Sequence, residues 1–109
     1  MSKLKLTMAA SDYAHTREFT SGAIEAEGID LNYLSFSIEE TFYRFINHGE
    51  FDVSEISSGK YTSMISQGDD RFVGIPVFPS RVFRQSALYV LPGSDVKSAA
   101  DMRGKRVGI

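Results

Sequence analysis

The sequence predicts an α/β domain with a mainly parallel sheet and helices on both of its faces. Segments of alternating apolar residues, typical of strands, take turns along the chain with segments whose apolar residues recur at helical spacing. Chains that alternate strand and helix in this way form parallel sheets covered by their own crossover helices. Ligands of such sheets bind at the carboxyl ends of the strands, so the loops after the strands are the first places to look for a site.

Length and composition are those of one small globular unit. The 109 residues include eight Phe and five Tyr, no Cys, and a formal net charge of -2. A disulfide framework and a thiol nucleophile are therefore excluded, and no broad basic field is present to attract nucleic acid. No segment approaches the roughly 20 apolar residues of a membrane span. We expect no nucleic-acid partner, no membrane insertion, and a cytoplasmic location, or a periplasmic one if a signal was removed.

The amino-terminal part of the chain predicts two strands and a poor helix between them. Apolar residues alternate with polar ones at positions 4–8 and again at 29–36, which indicates strands. Residues 16–26 predict a short helix that is interrupted at Gly22.

The strongest helix signal begins at Ser37. Its hydroxyl can accept a hydrogen bond from a first-turn amide, and Glu40, three residues later, can reach back to the cap. Gly49 suits the left-handed position that follows the end of a helix. One apolar stripe follows from the spacing of Ile38, Phe42, Phe45 and Ile46.

The middle of the chain predicts a strand, a helix and another strand. Residues 51–56 indicate a short strand, after which residues 57–59 lead into a helix that ends at Gly68. The mostly apolar residues 72–78 predict a further strand with Pro76 near its end or at a bulge.

The last part of the chain predicts alternating short elements. Residues 86–91 indicate a strand closed by a turn at Pro92 and Gly93. Ser98 and Asp101 form a capping pair for a single helical turn. Residues 105–109 predict the opening of one more strand, where the sequence stops, and from this we expect the sequence to be a fragment.

The loop at residues 79–86 carries the most informative polar side chains. Arg81 and Arg84 flank Phe83, and guanidinium groups bind carboxylates through paired hydrogen bonds while an aromatic ring can lie against a planar ligand. Further hydrogen-bonding groups in the loop are Ser80, Gln85 and Ser86. This combination predicts a site for an aromatic or other organic acid. The alternative is that both arginines are solvated or paired with the aspartates at 69–70.

Two other loops carry candidate binding residues. Ser11 and Tyr13 follow the first strand, which is a favoured ligand position, although a simple turn stabilised by Asp12 would use the same residues. Ser57 and Ser58 precede a helix, where free amides and hydroxyls can bind an anion. The alternative for these serines is an ordinary helix cap.

Three side chains are candidates for proton transfer. Glu55 lies toward the carboxyl end of the third predicted strand, and Asp12 and His15 follow the first. His48 lies at a helix end and is interpreted as structural. No metal-ligand spacing, phosphate loop or nucleophile elbow is present. No cofactor is predicted, and assistance by a metal ion is left open.

Short sequence segments distributed along essentially the whole chain resemble those of a known protein family. They are LKLT at 4–7, SDY at 11–13, EGIDLNYL at 27–34, FDVSE at 51–55, IPVFPSR at 75–81 and FR at 83–84. The series resembles the 4,5-dihydroxyphthalate decarboxylase family and its relatives described as transport substrate-binding proteins. The resemblance implies the type 2 periplasmic-binding-protein fold. Residues 98–108 are similar to the segment by which that fold crosses from one lobe to the other.

The resemblance also implies a domain organisation. Residues 1–104 are expected to form lobe one, a small-molecule-binding domain, and residues 105–109 the start of the crossover. The partner of lobe one would be the second lobe of the same full-length chain. The bound partner would be a small organic acid, and a homo-oligomer is left open.

The function implied by the resemblance is decarboxylation of a hydroxylated aromatic carboxylate such as 4,5-dihydroxyphthalate. Arg81 and Arg84 would hold the carboxylates, and Tyr13 or Phe83 would lie against the ring. The proton that replaces carbon dioxide would be handled by Glu55, Asp12 or His15.

One departure from the family pattern leaves an alternative open. Gln85 stands where a histidine is expected in the decarboxylase relatives. If that histidine takes part in the chemistry, this protein binds without catalysing. The alternative is a non-catalytic substrate-binding protein that delivers an organic acid to an ABC-type transporter through lobe closure. A stand-alone interaction domain is a third and weaker alternative.

Overall fold

A computed structural model describes residues 2–108, which divide into two compact units. The first unit ends at Pro79 and the second begins at Ser80. Met1 and Ile109, the outer ends of the two predicted domain ranges, lie outside the described residues. Within the described part of the chain, every helix is too short or too polar to cross a membrane.

Three parallel strands form the sheet of the first unit. Strand β1 spans Leu4–Ala10, β2 spans Ile29–Ser35 and β3 spans Val53–Ser54. The order β2-β1-β3 places β1 in the centre, paired along its whole length with β2 and at two positions with β3. The α/β class and the parallel sheet predicted from the sequence are confirmed.

Three α-helices accompany these strands. Helix α1 spans Arg17–Ser21, α2 spans Ile38–His48 and α3 spans Ser58–Ser66. A 3-10 turn at Ala14–Thr16 precedes α1.

Helix α2 has the ends that the sequence predicts. The Ser37 hydroxyl oxygen accepts a hydrogen bond from the Glu40 amide at 3.2 Å, and Gly49 follows the helix with a φ of 60°. The Glu40 carboxylate pairs with Arg44, one turn further along, at 3.0 Å. Both ends of this helix are therefore fixed by local side-chain and backbone chemistry.

The core of the first unit lies between α2 and the sheet. Ala9 on β1, Phe45 on α2 and Phe51 before β3 form one buried cluster. The Phe45 ring stacks on Phe72 at a centroid distance of 4.2 Å. Partly buried residues packed against the cluster are Leu34, Phe36 and Phe72. The small side chain of Ala9, fully buried on the central strand, leaves room for these rings.

Two predicted elements of the first unit are shorter than expected. The helix predicted at 16–26 is reduced to the five residues of α1, because Gly22 takes a left-handed φ of 73° and ends it. The strand predicted at 51–56 is reduced to β3. Asp52 extends the contact with β1, since its amide donates to the Thr7 carbonyl at 3.0 Å and its carboxylate accepts from the Thr7 amide at 2.8 Å.

The prediction of a strand at residues 72–78 is wrong, because this segment forms no ladder within residues 2–108 of the structure. Phe72 packs on the core, but Val73 is 91% exposed and the Gly74 amide donates to the Tyr61 hydroxyl at 2.9 Å. A strand requires a neighbouring strand for its backbone hydrogen bonds, and this segment uses a side chain instead.

The strands predicted at 86–91 and 105–109 are also absent from the residues described. A 3-10 turn at Arg84–Ala87 takes up the start of the first, and residues 105–108 form no ladder. No strand lies within residues 80–108, so neither segment has a neighbouring strand in the second unit with which to form a ladder. Apolar side chains there remain exposed, including Tyr89 at 88%.

Local turn predictions in the second unit are confirmed. Gly93 has a φ of 81°, and Ser98 with Asp101 forms a capping box at the 3-10 turn Ala99–Met102. The pKa of Asp101 lies below its ordinary value because the Lys97 amide, the Ser98 hydroxyl and the Ser98 amide all donate to its carboxylate.

Truncation of the central ring of the core tests this description. Phe45→Ala should lower the free energy of unfolding by about 3 kcal/mol or more, since it removes a buried ring and leaves a cavity. Tyr43→Ala is the matched control, because Tyr43 lies on the same helix and is 62% exposed. Urea unfolding followed by circular dichroism measures both. Equal losses for the two variants would contradict the assigned core.

Candidate functional site

The loop that follows β1 is held from the side of β3 by Glu55. One carboxylate oxygen accepts a hydrogen bond from the Ser11 amide at 2.7 Å, and the other accepts from the Tyr13 hydroxyl at 2.8 Å. The Glu55 amide itself donates to the Ala9 carbonyl at 3.2 Å, which sets the side chain beside the end of β1. Three of the residues predicted from the sequence are therefore in contact.

The same loop is held from the side of β2 by Tyr33, a residue that the sequence analysis missed. Its hydroxyl donates to the Ser11 carbonyl at 3.3 Å and lies 3.5 Å from the Thr16 hydroxyl. The Thr16 amide and hydroxyl both reach the Tyr13 carbonyl, at 2.9 Å and 3.1 Å. The available signal was the position of Tyr33 near the carboxyl end of a strand that runs parallel to β1.

The remaining two candidates for proton transfer lie on the outer side of this loop. The His15 ring stacks on the Tyr13 ring, with centroids 5.4 Å apart and an interplanar angle of 17°. Asp12 pairs with Arg17 at 3.5 Å, with both side chains largely exposed. Tyr13 thus contacts Glu55 through its hydroxyl and His15 through its ring.

The Ser11 side chain has a different environment from its backbone. Its hydroxyl oxygen is buried and finds no hydrogen-bond partner among residues 2–108. A buried hydroxyl without a hydrogen-bond partner lowers the stability of the fold. Ser11 stays a predicted binding residue.

The predicted anion site at the start of α3 has the geometry of a helix cap. The Ser57 hydroxyl oxygen accepts from the Lys60 amide at 3.4 Å, and the helix begins at Ser58. Both serines are exposed. The alternative interpretation of Ser57 as a cap is therefore confirmed, while anion binding stays a prediction.

The predicted carboxylate-binding loop lies in the second unit. Ser86 donates its hydroxyl hydrogen to the Phe83 carbonyl at 2.7 Å and so folds the loop into the turn that begins at Arg84. The Phe83 ring is 85% exposed, and Ser80 and Arg81 are also exposed. An exposed aromatic residue that lies between two arginines in the sequence is accessible to a planar acid.

Asp69, proposed as an alternative partner for those arginines, is engaged elsewhere. Its two carboxylate oxygens accept from Arg71 at 2.9 Å and 2.8 Å. The Arg71 guanidinium holds the pKa of Asp69 below its ordinary value, chiefly through these hydrogen bonds.

Two open concavities lie away from this chemistry. One of about 310 Å³ lies at the amino-terminal part of the sheet, lined by Lys5, Leu6, Thr7, Asp30 and Asn32, and a second of about 160 Å³ lies beside α1 and the start of β2. Neither is lined by a predicted site residue. Parallel sheets bind their ligands at the carboxyl ends of their strands, where the hydrogen bonds of Glu55 and Tyr33 converge on the loop after β1.

Metal coordination has no candidate cluster in the described part of the chain. Among residues 2–108, no group of three His, Asp or Glu side chains is arranged to hold an ion.

The contact between Glu55 and Tyr13 can be measured by a double-mutant cycle. Tyr13→Phe, Glu55→Ala and the double variant should show a coupling free energy of about 1 kcal/mol, the usual value for one hydrogen bond outside a dry interior. Urea unfolding gives the four stabilities. A parallel cycle that pairs Glu55→Ala with Tyr43→Phe should show no coupling, and equal coupling in both cycles would contradict the contact.

Comparison with known proteins gives two curated relatives. No family model matches the chain. Over all 109 residues it is 34% identical to the 4,5-dihydroxyphthalate decarboxylase of Pseudomonas putida and 35% identical to that of Comamonas testosteroni. The chain spans 42% of the length of the first relative and 33% of the second.

Proposed function

Because the chain is homologous along its whole length to part of the 4,5-dihydroxyphthalate decarboxylases, we propose that the protein decarboxylates a hydroxylated aromatic carboxylate, with 4,5-dihydroxyphthalate as the first candidate. The observation that carries the proposal is this similarity, which extends over all 109 residues. The contacts of Glu55 with Ser11 and Tyr13 support it, because they build a polar cluster at the end of the sheet where ligands of this fold class bind.

We further propose that the chain forms the first lobe of a type 2 periplasmic-binding-protein fold. The parallel strands and their order, β2-β1-β3, support this assignment. The alternation of strand and helix up to the end of α3 supports it as well.

Recognition of the two carboxylates is assigned in this proposal to Arg81 and Arg84. Each guanidinium can donate two parallel hydrogen bonds to one carboxylate. Phe83 would lie against the aromatic ring, Ser80 would donate a further hydrogen bond, and Ser86 would hold the turn through its hydrogen bond to the Phe83 carbonyl. The exposure of this loop supports the assignment.

Proton delivery is assigned to the loop that follows β1. When carbon dioxide leaves, the electron pair of the broken carbon–carbon bond stays on the ring carbon, and a proton must be added there. Asp12 and His15 are exposed, and they are the proposed donors of this proton. Glu55 already accepts hydrogen bonds at both oxygens, so its proposed role is to hold Tyr13, and through Tyr13 the stacked His15, in place.

Turnover of 4,5-dihydroxyphthalate tests the reaction directly. The full-length protein that carries this chain should release carbon dioxide from the substrate at a rate above that of a protein-free control. Carbon dioxide release and loss of the substrate should match in amount. Calorimetric binding of 4,5-dihydroxyphthalate without any turnover would reject the enzyme and favour the substrate-binding alternative that Gln85 suggests.

Substitution of the arginines tests the carboxylate assignment. Arg81→Ala and Arg84→Ala should each weaken binding of 4,5-dihydroxyphthalate at least about tenfold, since hydrogen bonds to charged groups contribute about 1.5–3 kcal/mol. Arg103→Ala is the matched control, because Arg103 is an exposed arginine of the same unit. Isothermal titration calorimetry gives the three dissociation constants. Unchanged affinity for 4,5-dihydroxyphthalate in both Arg81→Ala and Arg84→Ala would show that the carboxylates bind elsewhere.

A further inference from the structure

The backbone of Ser11 is held on both sides by side chains from the two neighbouring strands. Its amide donates to Glu55, which follows β3, and its carbonyl accepts from Tyr33 on β2. The Tyr13 amide donates to the same carbonyl at 3.1 Å, which closes a tight turn. The two peptide groups that flank Ser11 are therefore each fixed by a hydrogen bond from outside the loop.

The hydrogen bonds of Tyr33 continue into the rest of the loop. Its hydroxyl lies 3.5 Å from the Thr16 hydroxyl, which in turn donates to the Tyr13 carbonyl at 3.1 Å. The Tyr33 and Thr16 side chains are both half-buried. A half-buried hydroxyl with partners at both ends of a loop restricts that loop more than a solvated one would.

We infer that Tyr33, acting with Thr16, is a positioning residue that fixes the loop at residues 11–16 in the conformation that receives the ligand. Tyr33 and Glu55 hold the loop from opposite sides of the central strand. Tyr33 itself is not assigned a contact with the ligand. This inference deepens the proposed function and rests on it for the identity of the ligand.

A purely structural role for Tyr33 predicts a different result. If the hydroxyl served only stability, its removal would lower the urea midpoint and leave the affinity of the folded protein unchanged. A positioning role predicts the opposite pattern, with lower affinity at a nearly constant midpoint. Measuring both the urea midpoint and the ligand affinity therefore distinguishes a structural role of Tyr33 from a positioning role.

The test compares Tyr33→Phe with Tyr43→Phe in the full-length protein. Tyr43 is an exposed tyrosine on α2 and serves as the control for loss of a hydroxyl. Tyr33→Phe should weaken binding of 4,5-dihydroxyphthalate about fivefold, as expected for loss of one hydrogen bond that orders the site. It should also speed amide hydrogen exchange at Tyr13 and Thr16 by a similar factor. Tyr43→Phe should change neither quantity.

A second pair of variants keeps the inference testable if Tyr33→Phe folds poorly. Thr16→Val removes the hydroxyl but keeps the shape, and Thr16→Ser restores the hydroxyl. We expect the valine variant to lose affinity and the serine variant to retain it. Thr20→Val is the control, since the Thr20 hydroxyl bonds only within its own helix, to the Arg17 carbonyl at 2.9 Å, in the contacts described for it.

The outcomes separate this inference from the proposed function. Wild-type affinity in both Tyr33→Phe and Thr16→Val would overturn the inference while leaving the proposed function standing. If the wild-type protein binds no 4,5-dihydroxyphthalate, the proposed function fails, and amide exchange alone decides whether Tyr33 orders the loop. Unchanged exchange at Tyr13 and Thr16 would then overturn the inference as well, and faster exchange would support it.

Discussion

The carboxylate of Glu55 is the constraint on which the candidate site depends. A two-residue strand such as β3 contributes few ladder hydrogen bonds, and the loop after β1 has no regular structure until the 3-10 turn at Ala14–Thr16. Glu55 joins the two by accepting the Ser11 amide and the Tyr13 hydroxyl at once. The side chain therefore supplies the order that the short strand does not, and it does so where the central strand ends.

Features that depend on neighbouring residues in the sequence could be predicted, and the reason is physical. The ends of α2 follow from the Ser37 hydroxyl and from the left-handed Gly49, and the turn at Ser98 follows from the Asp101 carboxylate three residues on. These contacts lie within one helical turn and need no other part of the fold. The strand character of β1 and β2 could also be anticipated, because apolar and polar residues alternate at positions 4–8 and 29–33.

Features that depend on distant residues could not be predicted from the pattern alone. Residues 72–78 have the composition of a strand, yet no neighbouring strand pairs with them among residues 2–108, and the Gly74 amide bonds to Tyr61 instead. The sequence similarly identified Glu55 and Tyr13 as polar residues at strand ends but did not reveal their bond, which joins positions 42 residues apart. Tyr33 was missed because its alternating position in β2 indicated only a sheet residue.

The contacts of Glu55 also limit how the proposed chemistry can be distributed. A proton donor must face the ligand, and turning the Glu55 carboxyl group away from Ser11 and Tyr13 would break the two hydrogen bonds that order the loop. His15 has no such conflict, because its contact with Tyr13 is ring stacking and the residue is exposed. Under the proposed function, two tasks therefore fall to different residues of this region: Glu55 maintains the shape of the loop, and the exposed His15 is a candidate for delivering the proton.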